Sequence, residues 1–366
     1  MIEREQQILA LIRNDPRISQ KEIARRLGIN RSAVIGHIMS LITQGNLDGG
    51  GGEFADAPFV VVIGGINMDI HGAPASKLRM RDSNPGIVRT SPGGVARNIA
   101  ENLARLGIEC RLISVVGKDQ HGEQLLQHGR EAGIDMQHVL QLEAAQTSTY
   151  LSVLDETGDM HVAISDMATI DQLGADRLRA HKPLLKQAGL IVIDANLNDE
   201  ALAWLTSNFA GETLFVDTVS TTKAVKIKPY LSAVHTLKPS LIEAEAIAGF
   251  TARTDKQLSK LADWFHTQGV ERLFVTLGKR GVFYSTTGAQ GMQAQPKMQC
   301  NVNNAGGAGD AFLAGLAYAW LNQWELEKTV GFAMAAATVT LSHEQTNSPA
   351  LSLATVTRIY ESSHVE

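Results

Sequence analysis

Asn304-Ala305-Gly306-Gly307-Ala308-Gly309-Asp310 runs directly into the apolar segment Ala311-Phe312-Leu313-Ala314-Gly315-Leu316. A turn of small residues lets backbone N–H groups approach an anion closely, and the start of the following helix adds about half a positive charge. An acid in the first helical turn, Asp310, is then placed to take a proton from a group that reacts with that anion. The same stretch also suits a plain glycine turn with Asp310 as its N-cap. The rest of the chain decides between the two.

Outward from this loop, short apolar runs alternate with amphipathic segments. Phe59–Ile63, Arg111–Val116, Leu190–Ile193, Leu214–Val216, Ala233–Leu237 and Arg272–Thr276 read as strands. Between and after them, Ala96–Leu106 places Ile99, Leu103 and Leu106 on one helical face. Asp119 to Ala132, Gly309–Leu321 and Leu326–Leu341 read as further helices. The alternation predicts an α/β fold: a doubly wound, mostly parallel sheet with helices on both faces and ligands at the carboxyl ends of its strands. One piece breaks the rhythm. Thr149–Leu154, the turn Asp155-Glu156-Thr157-Gly158 and Met160–Ile164 predict a β-hairpin, a small lid over about residues 147–167.

The N-terminal end is different. Gly49 to Gly52 mark a linker, residues 49–57, between a helical part (1–48) and the α/β part (58–355). Ile8, Leu9, Leu11 and Ile12 form one apolar face before Asn14-Asp15-Pro16 stops the helix. Ser19 with Glu22 has capping-box spacing, and Ile23, Ala24 and Leu27 form the inner face of a second helix. Gly28 makes a turn into a third helix that carries Val34, Ile35, Ile38, Leu41 and Ile42. Two short helices joined by a tight glycine turn form a helix-turn-helix unit, whose second helix can enter a major groove. Residues 1–47 hold seven basic and four acidic side chains, a net charge of +3 within a chain of −5. A module that only pairs subunits would carry the same three helices. If it reads DNA, Arg31, Ser32 and His37 are the candidates on the third helix.

Bulk composition excludes several classes. The chain has 366 residues, 44% hydrophobic and 19% charged, which is the make-up of a folded globular protein. A charge of −5 gives no whole-molecule attraction to nucleic acid or anionic membrane. Cys110 and Cys300 are too few for a disulfide framework and lack zinc-ligand spacing. No signal peptide and no run of about 20 apolar residues is present, so a cytoplasmic protein without a membrane partner is expected.

Further motifs fall in a fixed order: Gly64-Gly65-Ile66-Asn67-Met68-Asp69, Ser91-Pro92-Gly93-Gly94-Val95-Ala96-Arg97-Asn98, Lys238-Pro239-Ser240-Leu241-Ile242-Glu243 and Thr276-Leu277-Gly278-Lys279-Arg280-Gly281. With the opening loop, they make Phe59 to near Leu351 resemble the ribokinase-like (PfkB) family of carbohydrate and nucleoside kinases. The N-terminal part resembles bacterial winged helix-turn-helix regulators, with glycines where their wing hairpin normally follows.

The resemblance implies phosphoryl transfer from ATP with Mg2+, Asp310 as base, and Gly307, Ala308 and Gly309 as the anion hole. It places Asn67, Asp69, Gly93, Gly94 and Asn98 on the sugar, and Lys238, Ser240, Thr276, Gly278 and Gly281 on ATP. Glu243 would organise Mg2+ through water; Ser240 stands where the family has Asn. Asn304 replaces a family Asp that helps hold a monovalent cation, which leaves K+ open. Within the family, the lid and the stretches at 194–196 and 216–220 are similar to pseudouridine kinases, with Thr149, Tyr150, Asp166 and Asn196 reading the nucleoside. A homodimer is expected. The alternatives are a kinase of another nucleoside or sugar, and a transcription regulator whose kinase-like domain only senses its ligand.

Overall fold

The computed structural model describes residues 3–14, 18, 20–29, 31–43, 59–294, 306–343 and 345–363. The linker glycines, Ser19, Cys300, Asn304 and Ala305 lie outside the described residues, and the cap, thiol and cation-site expectations tied to them go with them.

The main sheet is built on β1 (Val60–Ile63), whose residues are all buried. Val60 and Val62 join the hydrophobic core on one face, and Val61 and Ile63 the core on the other. This two-sided burial is why its sequence is continuously apolar. β4 (Cys110–Gly117) and β5 (Val139–Leu142) extend the sheet on one side of β1. On the other side follow β8 (Leu190–Asp194), β9 (Leu214–Asp217), β10 (Thr236–Lys238) and β11 (Arg272–Thr276), all parallel. β12 (Val282–Thr286) and β13 (Gln290–Gln293) close that edge antiparallel. The strand order therefore reverses between β1 and β8, where a doubly wound sheet opens its ligand crevice.

A second sheet stands apart, in the order β3 (Gly86–Gly93), β2 (Asn67–Pro74), β6 (Thr149–Leu154), β7 (Met160–Asp166). The expected lid hairpin is thus half of a four-stranded lid. β2 and β3 were not legible as strands, because exposed positions, glycines and prolines mask their periodicity.

Register divides this lid into two faces. Asp69 pairs with Tyr150 and His71 with Ser152, and a His71 Nδ1 to Ser152 Oγ contact of 2.6 Å confirms that these share a face. Met68, Ile70, Thr149, Leu151, Val88, Val162, Ile164 and Asp166 fall on the other face. Of that second face, Val88, Val162 and Ile164 are exposed.

Three helices form the N-terminal unit: α1 (Glu3–Asn14), α2 (Gln20–Leu27) and α3 (Arg31–Thr43), around a small core of Ile8, Ile12, Ile23, Val34, Ile38 and Leu41. In the α/β part, α4 (Val95–Arg105) covers one face of the sheet beside α5 (Ala308–Leu321) and α6 (Leu326–Leu341). At 100° per residue, Gly36 lies on the side of α3 away from Val34, Ile38 and Leu41. It is nevertheless buried, because it packs on Gln323 and the Leu321 carbonyl at the C-terminal end of α5. His37 is half-buried near Glu5 and Arg4 of α1, and this burial lowers its pKa. Among the described residues no helix is long and apolar enough to cross a membrane.

Candidate active site

Asp194, at the end of β8, organises the crevice. One carboxylate oxygen accepts the N–H groups of Gly65 and Ala96, both at 2.9 Å, and the other accepts that of Asn196 at 2.9 Å. Three short donors offset much of the cost of a fully buried carboxylate, although burial still holds its pKa above the ordinary value. The result is a staple joining the β1–β2 turn, the start of α4 and the loop after β8. Asn196 is fixed too: Lys223 Nζ donates to its Oδ1 at 2.5 Å, so its Nδ2 is directed to Gly65.

The sugar-side motifs converge as expected in part. Asn67 Nδ2 donates to Asp69 Oδ1 at 2.6 Å. Gly93 has no room for a Cβ, which would collide with the Asp69 carboxylate. Gly94 takes φ 98° as the N-cap of α4, a backbone that favours glycine. Burial raises the Asp69 pKa, against the opposing pull of Asn67. Tyr150 shares the Asp69 face of the lid, whereas Thr149 and Asp166 do not. Asp166 borders a separate cavity of about 680 Å³ with Arg177 and Gln146. The sequence reading grouped all three; strand alternation separates them.

Asn98 is also redirected. Expected on the sugar, its Nδ2 donates to Asp310 Oδ2 at 2.9 Å, with both side chains buried. Asp310 sits in the first turn of α5, behind N-cap Gly307 with φ 76°. A Cβ on Gly307 would collide with the Thr346 carbonyl. Burial first, and then the Asp217 charge, push the Asp310 pKa up, while Asn98 and Lys238 pull it down. A carboxyl tuned upward in this way suits a general base working near neutral pH.

On the other side of the loop lies a cavity of about 440 Å³, a size suited to a small-molecule ligand. It brings together Thr276, Gly278, Gly281, Ala308 and Gly309 from the expected set. Its apolar wall, Phe312, Met334 and Leu341, escaped the sequence reading because those residues look like ordinary helix core.

A family model described as pfkB family carbohydrate kinase matches residues 57–353. The chain belongs to the PfkB family of carbohydrate kinases. It is 41% identical over 303 residues to a pseudouridine kinase of Escherichia coli K12, covering 83% of this chain and 96% of that protein. It is 38% identical over 352 residues to the uncharacterized sugar kinase YeiI of the same organism, covering 96% and 97%. The fold matches a carbohydrate kinase from Agrobacterium tumefaciens with TM-score 0.74 and 26% identity over 83% of this chain and 97% of that one. Ribokinase of Arabidopsis thaliana, solved with ribose and ATP, matches with TM-score 0.73 at 21% identity over 83% and 99%, which speaks to the fold alone. Residues 3–45 match a winged helix-turn-helix DNA-binding model.

As a PfkB-family kinase the chain is an ATP-dependent phosphotransferase acting on a sugar or nucleoside, with the ribokinase-like fold expected from its sequence. Metal binding fits a specific pattern. Among the described residues no group of three or more His, Cys, Asp or Glu side chains could hold a metal ion. Glu243 Oε2 accepts the Ser240 N–H at 2.8 Å and the Thr218 hydroxyl at 2.6 Å, so that oxygen caps its own helix. Such a site suits Mg2+ that arrives on a polyphosphate and keeps most of its waters. Glu243 would hold it through one of those waters, and the ion would supply charge to the phosphates. Ser240, the N-cap of that helix, faces Glu243 across a capping box. Asp217, which forms a buried ion pair with Lys238 at the ends of β9 and β10, was the main omission in reading roles from sequence: only the folded sheet sets it beside Asp310.

Proposed function

We propose that this kinase transfers the γ-phosphoryl group of ATP, with Mg2+, to the 5′-hydroxyl of pseudouridine. The observation that carries the chemistry is the Asn98–Asp310 hydrogen bond, which ties the sugar-side helix to a base at the mouth of an anion-binding loop. The acceptor oxygen forms a bond to Pγ, its proton passes to the Asp310 carboxylate, and ADP leaves with the electrons of the broken Pγ–O bond. Gly307, Ala308 and Gly309 present the start of α5 to the charge that develops. In this reading Asp69, Asn67, Gly93, Gly94 and Tyr150 hold the ribose and base side, while Asn196 offers an NH2 group locked by Lys223. Thr276, Gly278 and Gly281 border the adenine.

Similarity to a pseudouridine kinase over nearly its whole length supports that acceptor. The match to YeiI over both parts of the chain favours a second reading, another nucleoside or a simple sugar. A panel of pseudouridine, uridine, inosine, ribose and fructose, assayed with ATP·Mg2+ beside Asp310→Asn, separates them. Pseudouridine should give the highest kcat/KM. Turnover at the variant's background for every member, with one still bound, would convert the proposal to the ligand-sensor alternative.

We also propose that residues 1–48 bind DNA, on the helix-turn-helix match and their local positive charge. Because the outer side of α3 rests on Gln323 and Leu321, reading a groove requires α3 to leave the kinase body. Gln323→Trp wedges that contact without altering the N-terminal unit and should strengthen retention of promoter fragments at low salt, where phosphate contacts are strongest. No retention by this variant or by wild type would sink the DNA-binding proposal. A second copy of the chain is the proposed cover for Val88, Val162 and Ile164, since an apolar patch can mate with itself about a twofold axis.

A further inference from the structure

We propose that Arg97 is a positioning residue that fixes which end of the Asn98 amide faces Asp310, an inference that rests on reading Asp310 as the base. Arg97 lies in the first turn of α4 and is 4% exposed. Its Nη1 donates to Asn98 Oδ1 at 3.2 Å and shares its protons with the Pro92 carbonyl and Asn347 Oδ1, each at 3.3 Å. Its Nη2 donates to Glu101, whose other oxygen accepts from Arg105 one turn further along. Asn347 Nδ2 in turn donates to the Asn98 backbone carbonyl at 3.0 Å. Among the described residues the Arg97 Nε is buried without a partner. The fork is thus aimed at Asn98 and Glu101 although one buried N–H goes unpaired, which has a cost.

Asn98 stands between two groups of opposite hydrogen-bonding character. A guanidinium only donates, and a carboxylate only accepts. An amide satisfies both in a single orientation, with its oxygen to Arg97 and its NH2 group to Asp310. Reversed, the NH2 group would meet the guanidinium, donor against donor, and buried polar groups would lose their partners. Arg97 therefore makes Asn98 a one-way support. The amide stabilises the Asp310 carboxylate, and it is held from rotating to accept a hydrogen bond from the protonated acid. Asp217 and Asp194 oppose the carboxylate and Lys238 favours it, but these charges act whichever way the amide faces. The Arg97 charge also favours the Asp69 carboxylate, with Asn67 and His71 and against burial.

The competing explanation is that Arg97 only neutralises Glu101. Arg97→Met/Glu101→Met removes both charges. Arg97→Lys keeps the charge on a single ammonium, which the Glu101 carboxylate claims, and loses the arm that reaches Asn98. Neutralisation predicts wild-type behaviour from both variants, because neither leaves a fully buried charge unpaired and Arg105 reaches water. Positioning predicts that either variant frees the amide to rotate and accept from protonated Asp310. The rise of kcat/KM with pH should then move up by about half a unit to one unit, the effect of one neutral hydrogen bond to the acid. Asn98→Ala should move the rise less in the double variant than in wild type, because both changes act through the same bond. A carbon-13 titration of aspartate-labelled protein adds a readout free of turnover, with the Asp310 carboxyl identified by its absence from Asp310→Asn. It should show the same upward shift. If Arg97→Met/Glu101→Met does not fold, Arg97→Lys decides alone. Rate profiles and carboxyl titrations that overlay those of wild type, or an equal effect of Asn98→Ala in both backgrounds, would overturn the proposal. Failure of wild type to phosphorylate any acceptor would count against phosphotransfer itself, while the carboxyl titration would still decide whether Arg97 sets the amide.

Discussion

Replacing Asn98 by Ala removes the one side-chain hydrogen-bond donor to the proposed base among the described residues, a 2.9 Å bond between buried groups. That bond favours the Asp310 carboxylate against burial and the Asp217 charge, which both favour the neutral acid. A hydrogen bond to a charged group contributes about 1.5–3 kcal/mol, and about 1.4 kcal/mol corresponds to a tenfold change in the protonation equilibrium. The sign follows directly. The base works as the carboxylate, so turnover rises with pH as Asp310 loses its proton. Without Asn98 the proton is held more tightly, and the rise moves about one to two pH units upward. The assay is kcat/KM against pH with saturating ATP·Mg2+, for wild type and Asn98→Ala, with folding checked at each end of the range. Activity should be lost most at low pH and recovered in large part on the alkaline plateau. An unmoved rise, with a raised nucleoside KM at all pH values, would refute this reasoning and return Asn98 to the sugar.

Other expectations follow from the same geometry. Asp217→Asn removes a charge that holds the Asp310 pKa up, so the pH–rate profile should shift to lower pH, opposite to Asn98→Ala. Gly307→Ala forces a side chain into φ 76° and against the Thr346 carbonyl; the backbone cost alone is about 1–2 kcal/mol, visible as a lower melting temperature together with slower turnover. Ile164→Glu places a charge on the exposed apolar lid face and should convert a dimer to a monomer in light scattering, with the melting temperature of the lid-independent core little changed.

Much of the fold was legible because its strands are buried on both faces: β1 is apolar throughout and β8 is apolar up to its last residue, Asp194, and the alternation with helices predicted their parallel pairing. Legibility failed where structure depends on distant partners. The expected strand Ala233–Leu237 begins later, at Thr236, because a 3₁₀ segment, Val225–Ala233, occupies the preceding residues. Lid residues adjacent in sequence, Thr149 and Tyr150, end on opposite faces, which follows from strand alternation once the register with Asp69 is known. The glycine motifs announced the anion loop directly, since close backbone approach demands small residues. The pairing of Lys238 with Asp217 carried no such mark. It depends on two strand ends, β9 and β10, lying side by side.

The central claim is that this chain phosphorylates a nucleoside hydroxyl with Asp310 as base. The most direct measurement follows both products, nucleoside monophosphate by mass spectrometry and ADP by chromatography, from pseudouridine with ATP·Mg2+ for wild type and Asp310→Asn. The account predicts equal amounts of pseudouridine 5′-phosphate and ADP from wild type and a rate at least about 100-fold lower from the variant. Equal rates from the two proteins, or ADP formed without phosphorylated nucleoside, would contradict it.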